Sequence, residues 1–404
     1  MNIFFKISVG PFLFFTQIAH GQERVSLQAY LSQVKAHNLD LKVEAARSAS
    51  SDAKSIGLNI PPPMAGFTRM KPDESSDPAY GFEVSQSLPF PSKISGDHTT
   101  RSLAFQAQRE SELAVRSEVL SNAKIIYVSL WSAQEKVKLL AQKKAVIETH
   151  IKMARSIARS DSLASIHVLK AESDLDFLET EIISAEQSSM QKQAEFLEVI
   201  NRDPSGNTVK VEEPELSPTP KAPSIIESHQ LRAQELGLEG LRSLESEASS
   251  AWYPDFNLRY KQNISSGQKW RNSEIMLAAT LPFVFFWEPN SATSAARADR
   301  QRGEFELSRK KQATTTELFV FFSRLQSQKK QLDILNHKLI PRAEKRLKIL
   351  HNLAPRDMET LNDHRDTLQA FPDLQLQALA VRLEYETSVA SLEKYIPNIG
   401  GIRE

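Results

Sequence analysis

The side chains that most often do chemistry are scattered along this chain. Its nine histidines stand at positions 20, 37, 98, 150, 167, 229, 337, 351 and 364. None has a second His four residues away, the spacing that lets two imidazoles on one helix face share a zinc ion. His364, flanked by Asp363 and Asp366, is the nearest approach to a cluster, and it reads as a solvated helix face. The absence of Cys removes thiolate metal sites, disulfides and cysteine nucleophiles. No Gly-x-Ser-x-Gly elbow occurs, and 13 glycines are too few for a Gly-rich phosphate cradle or a turn-rich all-β fold. The sequence thus predicts a chain that is not an enzyme, with no catalytic residues, no metal ligands and no cofactor.

With no chemistry to position, the question becomes what the elements build. The 404 residues carry 50 basic and 50 acidic side chains, are 25% charged and 40% hydrophobic, and can bury a core. Balanced charge gives no basic footprint, so no nucleic-acid partner is expected. Lys6, the apolar run Ile7–Phe15 and the small-residue pattern Ala19-His20-Gly21 read as a secretory signal peptide over residues 1–21, cleaved before Gln22. The run is too short to span a bilayer, and no later segment approaches the ~20 apolar residues of a membrane helix.

The chain reads twice. Leu88-Pro89-Phe90 returns as Leu281-Pro282-Phe283, His37-Asn38-Leu39 is answered by His229-Gln230-Leu231, and the Pro61 cluster by Pro254. Further on, Tyr127-Val128-Ser129-Leu130 falls opposite Val320-Phe321-Phe322-Ser323, and Val168 and Leu175 opposite Leu361 and Leu368. A near-constant offset predicts two repeats, 22–213 and 214–404, divided in the five-proline stretch 203–223, a stiff extended connector. Each repeat is expected to hold a helix, two strands and a long helical hairpin. The first helices should run from about Ser26 to Ile56 and from Ser224 to Ser249, with both serines as N-caps. The strands should cover Met64–Met70, Tyr80–Leu88, Asp255–Asn263 and Ser273–Phe283.

Residues 97–200 contain neither Gly nor Pro, so very long helix is expected, broken once near Ser160-Asp161-Ser162. The second hairpin should run from Asn290 to about Tyr395, breaking at Leu353-Ala354-Pro355. Ala123, Ile126, Leu130, Ala133, Val137, Leu140, Ile147, Ile151, Ala154 and Ala158 follow alternating three- and four-residue steps, with Lys144 the exception in register. That is an a/d seam of antiparallel coiled coil; Tyr127 and Ala141 widen it on one side.

Helices alone would favour a soluble coiled-coil scaffold. The strands argue otherwise. Asp255-Phe256-Asn257-Leu258-Arg259-Tyr260-Lys261 alternates strictly, as does Phe82–Leu88 apart from Gln86, and Trp252, Trp270 and Trp287 flank the strands. Ten-residue segments of period two with aromatic ends match a transmembrane β-barrel. In that reading Phe256, Leu258 and Tyr260 face lipid while Asn257, Arg259 and Lys261 face a lumen. Four strands cannot close a barrel with a usable lumen, so several copies are needed.

Ser26-Leu27-Gln28-Ala29-Tyr30 through His37-Asn38-Leu39-Asp40-Leu41 is similar to the opening helix of the TolC-type outer-membrane efflux proteins, with Leu39 at that family's Pro. Gln86-Ser87-Leu88-Pro89-Phe90-Pro91-Ser92-Lys93 is similar to its strand-exit segment, with Ser92 in the Gly place. Trp252-Tyr253-Pro254-Asp255, Leu281-Pro282-Phe283 and Leu361–Leu368 resemble the second-repeat equivalents. The resemblance implies a homotrimer sharing one twelve-stranded barrel in the outer membrane, and a helical tunnel across the periplasm. It also implies a periplasmic adaptor and an inner-membrane pump as partners. The expected function is passive efflux of small molecules or metal ions; the other reading is a non-pore periplasmic or surface coiled-coil scaffold.

In the resembling family the tunnel tip meets the adaptor. Here that tip would comprise Ser160, Asp161, Ser162, Leu163, Ala164 and Leu353, Ala354, Pro355, Arg356, Asp357. Asp161 and Ala354 stand where the family commonly has Gly, and Asp accepts positive φ better than Ala. The carboxylates of Asp161 and Asp357 read either as a selectivity ring at the periplasmic mouth or as ordinary turn polarity.

Overall fold

The computed structural model describes residues 24–70, 79–158, 164–205, 208–220, 228–265, 271–351 and 358–395. The chain opens with β1 (Arg24–Val25), α1 (Leu27–His37), α2 (Leu39–Ser55), β2 (Met64–Met70) and β3 (Ala79–Leu88). There follow α3 (Pro91–Ala158), α4 (Ala164–Val199), β4 (Lys210–Val211) and α5 (His229–Ser249). Then come β5 (Phe256–Ser265), β6 (Arg271–Ala279), α6 (Trp287–Ile334), α7 (Ile340–His351) and α8 (Met358–Glu393). The fold is mainly helical with a small β part, as expected. The signal segment 1–21 lies outside the described residues.

The 68 residues of α3 extend about 100 Å at ~1.5 Å per residue, and α1, α2, α4, α5 and α8 all pack along this rod. Its heptad seam is largely buried: Ala123, Leu130, Leu140, Ile147, Ile151 and Ala154 lose nearly all contact with solvent. Antiparallel α4 packs Ala171, Leu178 and Ala185 against Leu140, Ile147 and Ile151 of this seam. Lys144, the polar break in the seam, reaches Glu179 of α4 at 2.8 Å, so its ammonium stays at the seam's edge. Ala141 is exposed, because the widening at Tyr127 serves a local aromatic cluster and does not continue down the helix. In the second half, Leu318, Leu325 and Leu332 of α6, seven residues apart, pack on Tyr385, Val389 and Leu392 of α8.

The expected helix from Ser26 to Ile56 is two helices. Ser26 does cap α1, its Oγ accepting from the Ala29 amide at 3.3 Å. Asn38 interrupts it: its backbone is extended (ψ 131°), its Oδ1 caps α2 through the Leu41 amide at 3.2 Å, and its Nδ2 donates to the Val199 carbonyl at 3.0 Å. The second cap is Ser228, whose Oγ accepts from Leu231 at 3.1 Å, and α5 starts at His229; Ser224 lies outside the described residues. Strand β6 ends at Ala279 and not at Phe283, since Pro282 cannot donate to a ladder and begins a short 3₁₀ turn to Phe285. The helix after α6 widens into a π turn over Leu335–Leu339 before continuing as α7, which carries Pro341 in its first turn. Widening there accommodates a ring whose missing N–H would otherwise orphan the carbonyl four residues earlier.

The connector wraps the middle of the rod. Within it β4 pairs in parallel with β1, Arg24 opposite Lys210 and Val25 opposite Val211, and the Glu212 amide donates to the Val25 carbonyl at 3.1 Å. Beneath this pair lies an aromatic cluster. Tyr30 stacks on Phe196 with ring centroids 3.9 Å apart, and Tyr127 leans against both. The Tyr127 hydroxyl sits 2.8 Å from the Val25 carbonyl and 2.9 Å from that of Glu212, donating its proton to this pair. Burial pushes its pKa up to about 12. On the other side Glu386, buried on α8, accepts from the Ser217 amide (2.9 Å) and hydroxyl (2.5 Å). Tyr127→Phe should therefore cost about 1–2 kcal/mol, because the Glu212 carbonyl loses its donor and the Val25 carbonyl keeps only the Glu212 amide. The check is a lower denaturant midpoint in detergent, with Tyr253→Phe, a half-exposed ring, leaving the midpoint unchanged.

Candidate functional site: a two-faced sheet on a helical stalk

The strands β2-β3-β5-β6 form one antiparallel sheet in that order, beyond the ends of the helices. Register decides which side chains share a face, because the period along each strand is two. Leu258 lies opposite Leu277, Tyr260 opposite Ile275 and Val84, and Phe67 opposite Phe82. Leu88, Phe256 and Ala279 continue the same side. Apart from Gln262 and Ser273 in the row of Phe82, this face is apolar over these rows and open to its surroundings: Phe67 is 71% exposed, Ile275 75% and Leu277 70%. Gln86, the one break in the alternation of β3, turns its amide onto the carbonyls of Pro61 (2.7 Å) and Ser87 (2.8 Å).

The opposite face is polar. Glu83, Lys261 and Glu274 stand directly across from one another in a single row, with a cation between two carboxylates. In the next row Arg259 faces Ser85 and Met276. Its guanidinium lies 3.6 Å from Glu83 and 3.8 Å from the Met276 sulfur. Asn257 belongs to this side as well, so β5 divides into Phe256, Leu258 and Tyr260 on one face and Asn257, Arg259 and Lys261 on the other. Thr68, Gly81 and Asn263 make a further row. A Cβ at Gly81 would stand 2.4 Å from Thr68 Oγ1 and 3.0 Å from Asn263 Oδ1, so a larger residue there would have to displace these two side chains.

One carboxylate ties the strands to the helices, a role its place in the alternation does not reveal. Asp255 Oδ1 accepts from the Phe90 amide (3.0 Å) and from Lys93 Nζ (2.9 Å), which fixes the exit of β3 and the start of α3. The Asp255 backbone bonds Thr280 in both directions, its N–H to the Thr280 hydroxyl (2.8 Å) and its carbonyl to the Thr280 amide (2.9 Å). Phe90 in turn stacks on Tyr253 with centroids 4.6 Å apart.

Of the ten expected tip residues, Ala164 begins α4; Ser160, Asp161, Ser162, Leu163, Leu353, Ala354, Pro355, Arg356 and Asp357 lie outside the described residues. Trp270 lies outside them too. Among the described residues no cluster of His, Asp and Glu side chains could hold a metal ion, and no helix is long and apolar enough to cross a membrane. His229 pairs with Glu110 at 2.8 Å and His150 is buried between helices, so neither joins a site on the sheet.

The charged row makes a prediction. Lys261→Glu sets three carboxylates in line and should lower the thermal midpoint by the equivalent of about 0.5–1 kcal/mol. Adding Glu274→Lys should recover only part of the loss, because Glu83 still faces Glu at 261, as circular dichroism in detergent would record.

No protein-family model and no curated protein matches the chain in sequence. Among solved structures it is similar to the outer-membrane channel OprN, with 14% identity over 93% of this chain and 90% of that one, at a TM-score of 0.76. The open state of the Neisseria gonorrhoeae MtrE outer membrane channel gives 15% identity, coverage of 91% and 88%, and a TM-score of 0.75. The Campylobacter jejuni CmeC outer membrane channel gives 13% identity, coverage of 91% and 85%, and a TM-score of 0.74. Over nearly its whole described length, the chain has the fold of these outer-membrane channels.

Proposed function

We propose that this protein is the outer-membrane channel of a TolC-type tripartite efflux system. Three copies would share one twelve-stranded barrel and exclude the lipid with their apolar sheet faces. The observation that carries the reading is the sheet itself, which has an exposed apolar face, a polar face and two unpaired edges. In water such a face is a liability; in a bilayer it is what a barrel wall requires. In hydrocarbon the edge amides of β2 and β6 must also be paired, and only closure with further copies does that. Strand β5, with 10 residues at a barrel's usual tilt, spans about 25 Å, the height of an outer-membrane apolar band. Trp252 and Tyr253, both exposed at the helix-side border, suit the headgroup region.

In this reading residues 1–21 are a cleaved signal, and 22–213 and 214–404 are two structural repeats. The helices form a tunnel through the periplasm that conducts small molecules or metal ions passively. A periplasmic adaptor and an inner-membrane pump supply selection and energy. The outer face of α4, where Ile166, Leu169, Phe177, Ile183 and Met190 are exposed, gives neighbouring copies an apolar flank to cover. A free coiled-coil scaffold would have no use for Phe67, Ile275 and Leu277 on an uncovered sheet.

Two experiments test this. Leu258→Arg sets a cation against lipid at a cost of roughly 2–4 kcal/mol near the midplane, and should sharply reduce the yield of detergent-extracted trimer. Asn257→Arg, on the lumen side, should leave the yield near wild type; equal yields would contradict the assignment of faces. The second concerns the tip. With no native Cys, cysteines at Ser162 and Arg356 should cross-link to a periplasmic adaptor while cysteines midway along α3 do not. The reverse pattern would overturn the orientation.

A further inference from the structure

The sheet order leaves β2 and β6 as its two edges, and both strands meet the helical part at the same end. At that end the chain carries two unlike exposed surfaces. Ahead of β2 stand Pro61, Pro62 and Pro63, all solvent-exposed, with the Pro61 carbonyl held by Gln86 at 2.7 Å. Three successive residues without an N–H cannot extend a ladder, and they favour an extended polyproline segment that is already ordered before any contact.

Beyond β6 the chain turns through Pro282–Phe285 into α6. Phe285, Phe286 and Trp287 are 55%, 56% and 58% exposed. They form a cluster of their own: Trp287 meets Phe285 edge-on (5.4 Å, 81°) and Phe286 edge-on (5.4 Å, 74°). The matching turn after β3 is closed, with Phe90 on Tyr253 and Lys93 on Asp255. The turn after β6 instead presents its rings outward, at the edge of the sheet.

Proline rings dock readily on clustered aromatic faces. Within one chain these two surfaces cannot meet, because β2 and β6 lie three interstrand spacings apart, about 14 Å. In a closed ring, β6 of one copy borders β2 of the next. The ladder register carries Pro61 into the row of Leu88, Phe256 and Ala279, and rotation about the ring axis brings the helix-side end of the next copy's β2 beside the helix-side end of β6. We propose that Pro61–Pro63 of one copy seat against the aromatic turn Phe283–Trp287 of the neighbouring copy. This contact would seal the seam between protomers where the strand ladder stops. The inference rests on the ring reading above and adds the residues that close its foot.

The test uses the full-length protein in its membrane, where no native cysteine competes. Pro62→Cys is combined with Phe286→Cys and the membranes are mildly oxidised. A bridge within one chain is barred, since disulfides need Cα atoms within about 7 Å. Covalent dimers and trimers on a non-reducing gel, absent from either single variant, are the expected result. A double variant that migrates as a trimer in mild detergent but stays monomeric on the gel overturns the proposal while the ring stands; Pro63→Cys with Phe283→Cys must then fail as well. If the wild type is itself monomeric in detergent, the ring reading fails and this contact with it.

Discussion

A four-stranded sheet with one apolar face and two open edges is not a finished object, and the rest of the molecule depends on that. Its apolar face cannot be left to water, and its edge amides cannot be left to hydrocarbon. Within a single chain the helices do not cover that face, since Phe67, Ile275 and Leu277 stay exposed beside a stalk about 100 Å long. What the chain settles internally is the other side: the Glu83–Lys261–Glu274 row, Arg259 on Glu83, and the fit of Thr68 and Asn263 over Gly81. The proposed barrel follows when the unsettled surfaces are given to lipid and to further copies.

The stalk has no single globular core. Apolar contact is spread along α3 in separate clusters, one joining it to α1, α4 and α8 and the other chiefly to α4. Such a rod owes its stability to many short-range seams, and a fixed point is needed where the chain passes from one half to the other. The Tyr30, Tyr127 and Phe196 cluster under β1 and β4 supplies it, with the Tyr127 hydroxyl joining both strands to the helix. At the sheet end Asp255 does comparable work, holding the exit of β3 and the exit of β6 beside the start of β5. These two points, one aromatic and one ionic, set where the sheet stands relative to the helices.

Much of this was legible in the sequence because it is local. Period two in Phe256–Lys261 separated the sheet's faces, and the Gly- and Pro-free stretch 97–200 announced α3 and α4. Local pattern falls short where distant groups decide. Asn38 breaks the first helix because its side chain reaches the Val199 carbonyl, 161 residues away. Ala141, expected to widen the seam beside Leu140, faces outward, and Asp255 reads as one more polar residue of an alternating strand until Phe90 and Lys93 are brought to it. Strand β6 stops at Ala279 although apolar alternation continues to Phe283, because Pro282 can no longer pair. The candidate tip was legible only as a change in composition, and all of it but Ala164 lies outside the described residues.

The most direct test of a channel built from several copies is electron microscopy of the full-length protein extracted from membranes in detergent. The account predicts threefold end views with an open centre, and side views showing one wide detergent-bound end on a stalk of about 100 Å. Thin rods without a lumen, or single chains bearing no detergent belt, would contradict it.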